Sequence, residues 1–180
     1  MKFRLRRWLI LIVGVALALL VDQVAKQWVL ANMQEGETRL LLDAVQPYLQ
    51  LTRTANTGIA FGLGSGSSEI FLAISAVIIV VLLIYYGRAE VLHPLEQIGL
   101  VLVIGGALGN AIDRIRFGHV VDFVHVWIPP LGISNVSNFA DHMIVIGVGL
   151  LLVASILQER RENRLKSAEV AETAPALPTE

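Results

Sequence analysis

The sequence has no cysteine, so it can form no disulfide, hold no metal through a thiolate and offer no cysteine nucleophile. The same absence excludes anchoring of the chain itself through a lipidated N-terminal cysteine. Charge is scarce as well. Asp, Glu, Lys and Arg make up 16% of the residues, against about 25% in an average soluble domain. The net charge is -1, which offers no basic field for nucleic acid, and nucleic-acid binding is set aside. There is no HExxH zinc pattern, and no internal repeat of the kind that builds inverted-repeat transporters.

What is abundant is apolar surface. Of 180 residues, 55% are hydrophobic, and the mean hydropathy is +0.67. That is more than one buried core absorbs, so the excess is expected to face lipid. Four apolar stretches stand out, at about residues 8–30, 70–86, 95–112 and 139–157. Each is near the roughly 20 residues that cross about 30 Å of hydrocarbon. The first follows Lys2, Arg4, Arg6 and Arg7 and contains Ala16-Leu17-Ala18, as a cleavable signal peptide does. Its apolar run continues past that triplet to Val21 and then through Asp22 and Lys26, so it reads as a retained first span.

An even number of spans puts both tails on one side. Both are basic, the second through Arg160, Arg161, Arg164 and Lys166, so both termini are expected in the cytoplasm with the short 87–94 link. Segments 31–69 and 113–138 then face outward. The expected architecture is an all-α integral membrane protein, a single four-helix domain over residues 1–166. A small β-rich outer region is expected to rest on the membrane surface, from strand-like patches at 39–42 and 48–53 and a glycine-rich turn through Gly58, Gly62, Gly64 and Gly66. Residues 167–180, rich in Ala, Glu, Pro and Thr, are expected to be disordered.

An ionisable group at membrane depth costs at least about 2.5 kcal/mol near the centre and is a functional candidate. Asp22 and Lys26 stand four apart on one helix face, toward the outer end of the first span. An ion pair with Lys26 reaching outward would account for them. The third span delivers Asn110, Asp113 and Arg114 at its outer end, after a Gly105–Gly109 GxxxG step suited to close helix packing. Asp122 lies in the apolar, β-branched run Val120-Val121-Asp122-Phe123-Val124. Asp141 opens the fourth span in Asn138-Phe139-Ala140-Asp141, where a carboxylate could simply cap the helix.

Two carboxylates brought together in apolar surroundings cannot both ionise readily. Such a pair shares one proton and can act as base and acid in one turnover, with neither metal nor nucleophilic side chain. Three other readings compete. His119, Asp122 and His125 at three-residue intervals, with Asp141 and His142, could ligate a metal. The intramembrane Asp and Lys groups could serve a proton relay or transporter, although they cluster at one face and not at the midplane. A helical assembly factor without chemistry is the third. Ser134 and Ser137 lack the flanking pattern of a nucleophile and read as turn formers.

Taken together these motifs resemble bacterial lipoprotein signal peptidase (signal peptidase II), over nearly the whole chain up to the tail. Asp22 and Lys26 match the polar pair of that family's first helix, and Asn56-Thr57-Gly58-Ile59-Ala60-Phe61-Gly62 resembles its Asn-x-Gly-x-Ala-Phe segment. Gly106 to Arg114 resembles its glycine-rich Asn–Asp–Arg motif, and Gly118 to Phe123 and Asn138 to Asp141 resemble the two segments that carry its aspartates. The family's usual serine after the second aspartate is His142 here.

The resemblance implies an aspartic endopeptidase of the bacterial cytoplasmic (inner) membrane, its site facing the periplasm or outside. Its implied substrate is a prolipoprotein cut just before a cysteine that already carries diacylglycerol. Asp122 and Asp141 inherit the catalytic role, and Asn56, Asn110 and Asn138 would hydrogen-bond the pair or the substrate backbone. Arg114, Asp113, Asp22 and Lys26 would brace the site. Membrane lipid is the expected surrounding, no metal or cofactor is implied, and a monomer is the expected form.

Overall fold

The structure, a computed structural model, describes residues 2–40, 45–58 and 67–173. The four apolar stretches are four helices, each long and apolar enough to cross a membrane. They are α1 (Lys2–Asn32), α2 (Ser67–Arg88), α3 (Pro94–Phe117) and α4 (Phe139–Thr173). All run past the ends of their apolar stretches. Hydropathy marks only the part that meets lipid, whereas a helix continues until a cap or a breaker stops it.

Helix α3 shows both ends of that rule. It starts at Pro94 behind a capping box: the His93 ring accepts the Leu95 N–H at 3.3 Å, and Glu96 Oε2 accepts the His93 N–H at 3.1 Å. It stops at Gly118, whose φ of +76° is the left-handed conformation that glycine adopts freely. Asp113 and Arg114 are therefore helical, not part of an outer loop from residue 113. Helix α4 corrects the expected tail. It reaches Thr173 because Ala168, Glu169, Ala171 and Glu172 are good helix formers, and no proline intervenes before Pro175. Residues 174–180 lie outside the described residues.

The all-α reading is too narrow. Strands β1 (Thr38–Leu40), β2 (Leu49–Asn56), β3 (Val120–Ile128) and β4 (Ile133–Ser137) form one antiparallel sheet in that order. The first two fall on the expected patches, and β3 and β4 replace what reads as an outer loop. Residues 41–44 and 59–66, with most of the glycine-rich turn, lie outside the described residues. In β3 the β-branched Val120, Val121, Val124, Val126 and Ile128 suit a pleated surface. The register sets Thr54 opposite Asp122 and Asn56 opposite Val120. It shifts between Leu51 and Thr54, beside the Asp122 pair, and such irregularities re-aim side chains.

Helix α3 is central, with α1, α2 and α4 all packed on it. Glycines allow the approach. A Cβ on Gly105 would lie 2.7 Å from the Ala18 Cβ on α1, and one on Gly147 would lie 2.8 Å from the Gly99 carbonyl oxygen. At Gly106 the obstacle is the carbonyl oxygen of Ala140, in the first turn of α4. Gly106→Ala is therefore expected to push α4 off α3, at a cost of about 1–3 kcal/mol. Thermal unfolding in detergent measures it, with Gly149→Ala as control, because nothing lies within 4 Å of a Cβ there. Equal melting of the two variants would refute the close-crossing account.

The two ends of the bundle differ. At one, Arg7 Nη1 and Nη2 donate to the carbonyls of Ala89 (2.6 Å) and Tyr86 (2.7 Å), tying the start of α1 to the α2–α3 link. At the other, Val29 and Met33 of α1 pack with Val121 and Phe123 of β3, and Arg53 Nη1 donates to the Met33 carbonyl at 2.5 Å, closing the last turn of α1. The sheet is thus pinned to one end of the bundle. Between the ends the outer faces are apolar, as at Val145 (71% exposed) and Leu152 (61% exposed), a surface that only lipid covers without cost.

Candidate active site

The polar residues singled out in the sequence meet at the sheet end. Asp22 and Lys26 come from adjacent turns of α1 and Asp113 from α3, and all three side chains are shut off from solvent. Lys26 Nζ lies 2.9 Å from Asp22 Oδ2 and 2.8 Å from Asp113 Oδ2. The carboxylates also reach the backbone. Asp22 Oδ1 accepts the Ala140 N–H at 3.0 Å, and Asp113 Oδ2 accepts the Val121 N–H at 3.1 Å. One acid thus holds the residue before Asp141, and the other holds the residue before Asp122.

Three asparagines carry the arrangement to those aspartates. Asn110 accepts from Lys26 Nζ at 3.1 Å and donates its amide to Asp141 Oδ1 at 2.7 Å. Asn138 donates to Asp122 Oδ1 at 2.6 Å, while its own side-chain oxygen accepts the Asp141 N–H at 3.0 Å. Asn56 donates to Asp122 Oδ2 at 2.8 Å and accepts the Gly58 N–H at 2.8 Å. The cap of α4 is therefore Asn138, not Asp141. This leaves the Asp141 carboxylate free to take the Asn110 amide and face the site. Asp122 and Asp141 are both linked to one side chain, Asn138.

Electrostatics follow from the burial. Removal from water pushes the Asp122 carboxyl up to about 6. Amide hydrogen bonds from Asn56 and Asn138 hold it down, the Asp141 charge raises it, and the Lys26 charge lowers it. Arg114 Nη1 donates to the Asn110 carbonyl at 3.3 Å, its guanidinium lies 5.3 Å from the Phe71 ring centroid, and its charge acts on Asp141, Asp113 and Asp122.

All nine residues expected at the site are near it, and Gln23 joins them. Gln23 Nε2 donates to Asp113 Oδ1 at 3.0 Å and Asp22 Oδ2 at 3.2 Å. Its position beside Asp22 inside an apolar helix is the signal that could have found it. Ser137 Oγ donates to the Val124 carbonyl at 3.4 Å and lies 3.2 Å from His142 Nε2. No local pattern announces that contact.

The histidine reading fails on strand geometry. On β3, residues 122 and 125 are an odd number apart and point to opposite faces. His125 accordingly meets Thr52 Oγ1 and Ser134 Oγ, each at 2.9 Å, and His119 lies against Phe117. Among the described residues no three His, Asp or Glu side chains gather where they could hold a metal ion.

Comparison with known proteins gives the family. The family model described as Signal peptidase (SPase) II matches residues 14–157. The lipoprotein signal peptidase of Syntrophomonas wolfei is 40% identical over 148 residues, covering 82% of this chain and 93% of its own. That of Bartonella tribocorum is 38% identical over 149 residues, covering 82% and 87%. A bacterial membrane enzyme solved by the in meso method at 2.3 Å superposes with a TM-score of 0.71 at 26% identity, covering 94% of each chain. A second, solved at 1.9 Å, gives a TM-score of 0.72 at 30% identity over 80% of this chain and 90% of its own. With four spans, a polar cluster under a sheet and relatives along most of its length, the chain belongs to the signal peptidase II family of proteases.

Proposed function

We propose that the protein is an aspartic endopeptidase that removes the signal peptide from diacylglyceryl-modified prolipoproteins, cutting just before the lipidated cysteine. The observation that carries this reading is the link through Asn138: one amide holds Asp122 by its carboxylate and Asp141 by its backbone. Two acids so held, one of them with its carboxyl raised to about 6, suit a pair that shares a proton near neutral pH.

In the proposed cycle the ionised carboxylate takes a proton from water as its oxygen bonds to the scissile carbonyl carbon. The protonated partner hydrogen-bonds the carbonyl oxygen, which collects negative charge. A proton from the pair then passes to the leaving nitrogen, the C–N bond breaks, and the pair is left with one proton as before. Asn56, Asn110 and Asn138 hold the two acids, Arg114 orients the site, and Asp22, Lys26 and Asp113 brace the elements that bear them. The basic tails support a cytoplasmic location for both termini in a bacterial inner membrane, with the sheet end outside. A monomer is the proposed form.

The test is incubation of the purified protein with a lipidated precursor and with its unlipidated counterpart, read by gel shift. Cleavage of the lipidated form alone is expected, and an intact lipidated precursor ends the proposal. A second measurement addresses the proton. Asn56→Ala removes a donor that favours the ionised form of Asp122, so its carboxyl rises above about 6. The limb of the kcat/KM profile that follows this ionisation should move to higher pH. An unmoved limb would separate Asn56 from the titration.

A further inference from the structure

The end of the bundle away from the sheet holds a cavity of about 520 Å³ between the start of α1 and the α2–α3 link, within the usual range for a small-molecule site. Its walls carry charges of both signs. Arg6 and Glu90 line it, are exposed, and form no ion pair among the described residues. Arg7 adds a second positive charge, fixed by its bonds to the Ala89 and Tyr86 carbonyls. The rest of the wall is apolar, with Ile10 46% and Val91 87% exposed.

The edge of the uncharged run in α1 sets the depth. The Trp8 ring meets Tyr86 edge-on at 5.1 Å, and Tyr86 Oη donates to the Arg7 carbonyl at 2.7 Å. Tyr86 is itself fully buried, and the charges of Arg6 and Arg7 stop just before the uncharged run from Leu9 to Val21, so this part of the helix leaves the hydrocarbon there. The cavity therefore opens at headgroup level, with its charges at the rim and Ile10 one turn deeper.

We infer that this cavity binds a phospholipid whose headgroup pairs a phosphate with a primary ammonium. The phosphate meets Arg6 and the fixed Arg7 charge, the ammonium meets Glu90 and the Gln97 side-chain oxygen, and an acyl chain runs over Ile10 and Val91. A phosphate alone would leave Glu90 beside an anion. A quaternary ammonium has no N–H to donate to a carboxylate. Phosphatidylethanolamine satisfies both ends of the cavity, phosphatidylcholine one end and part of the other, and phosphatidylglycerol only the positive end. The site is remote from Asp122 and Asp141, so it stands or falls independently of the proposed peptidase chemistry.

Native mass spectrometry of the full chain, delipidated in detergent and titrated with the three dioleoyl lipids, tests this. Phosphatidylethanolamine should bind about fivefold more tightly than either of the others, the size of one exposed charge pair. Glu90→Gln should erase its preference over phosphatidylglycerol, and Arg6→Ala should weaken all three lipids. Both side chains are exposed, so the variants should melt with the parent in lipid-free detergent. Equal binding of the three lipids by the parent chain overturns the inference, as does tightest binding of phosphatidylglycerol. So does a preference that survives both substitutions.

Discussion

Asp122→Asn is expected to lower kcat/KM for a lipidated precursor by about three orders of magnitude, within the range for loss of a general acid–base group. The substitution keeps the shape and removes the proton chemistry. It also costs some stability. Asn56 and Asn138 both point amide donors at Asp122, and neither can turn over, because their oxygens hold the Gly58 and Asp141 N–H groups. An amide at 122 therefore sets donor against donor on one side, at about 1–3 kcal/mol. Melting in detergent should fall by a corresponding amount while the protein still inserts. Asp141→Asn should be as inactive, and the double variant no worse than either single one, since residues that act as a unit are not additive. Turnover within tenfold of wild type in either single variant rules out the pair.

The second large effect is on stability. Lys26→Met leaves Asp22 and Asp113 buried with no cation between them, and breaking such a buried set costs about 3–5 kcal/mol. Asp22→Asn should cost less. It leaves Lys26 and Asp113 as a neutral pair, and the asparagine oxygen can still accept the Ala140 N–H. Thermal unfolding of the two variants in one detergent gives the comparison. If Asp22→Asn proves the more damaging, charge balance is not what holds the cluster. Activity should fall with both, because Asp22 and Asp113 position the backbone beside the two aspartates.

The legibility of these residues varied with the range of the signal. Asp22, Lys26, Asn110 and Asp122 were visible because a polar group in an apolar run is conspicuous wherever the run folds. The strand patches around residues 39 and 49 were visible through composition, and β1 and β2 lie there. Strand β3 was harder. Its pairing with β2 joins segments far apart in the chain, and only that pairing separates a strand from a Val-rich loop. The helix ends are not legible in hydropathy, which stops where lipid stops, while Gly118 ends α3 several residues later.

From the sequence alone came the four spans, the one-sided gathering of acids and amides, and the family whose motifs they match. All of these rest on local composition and spacing, which exist before the chain folds. Only the tertiary structure decided that Asn138 caps α4 and so releases Asp141. It also decided that Asp113 joins Asp22 and Lys26 and that residues 122 and 125 part company across a strand. Those outcomes depend on which groups approach within hydrogen-bond distance once α1, α3, α4 and the sheet close around one another, and no single segment holds that information.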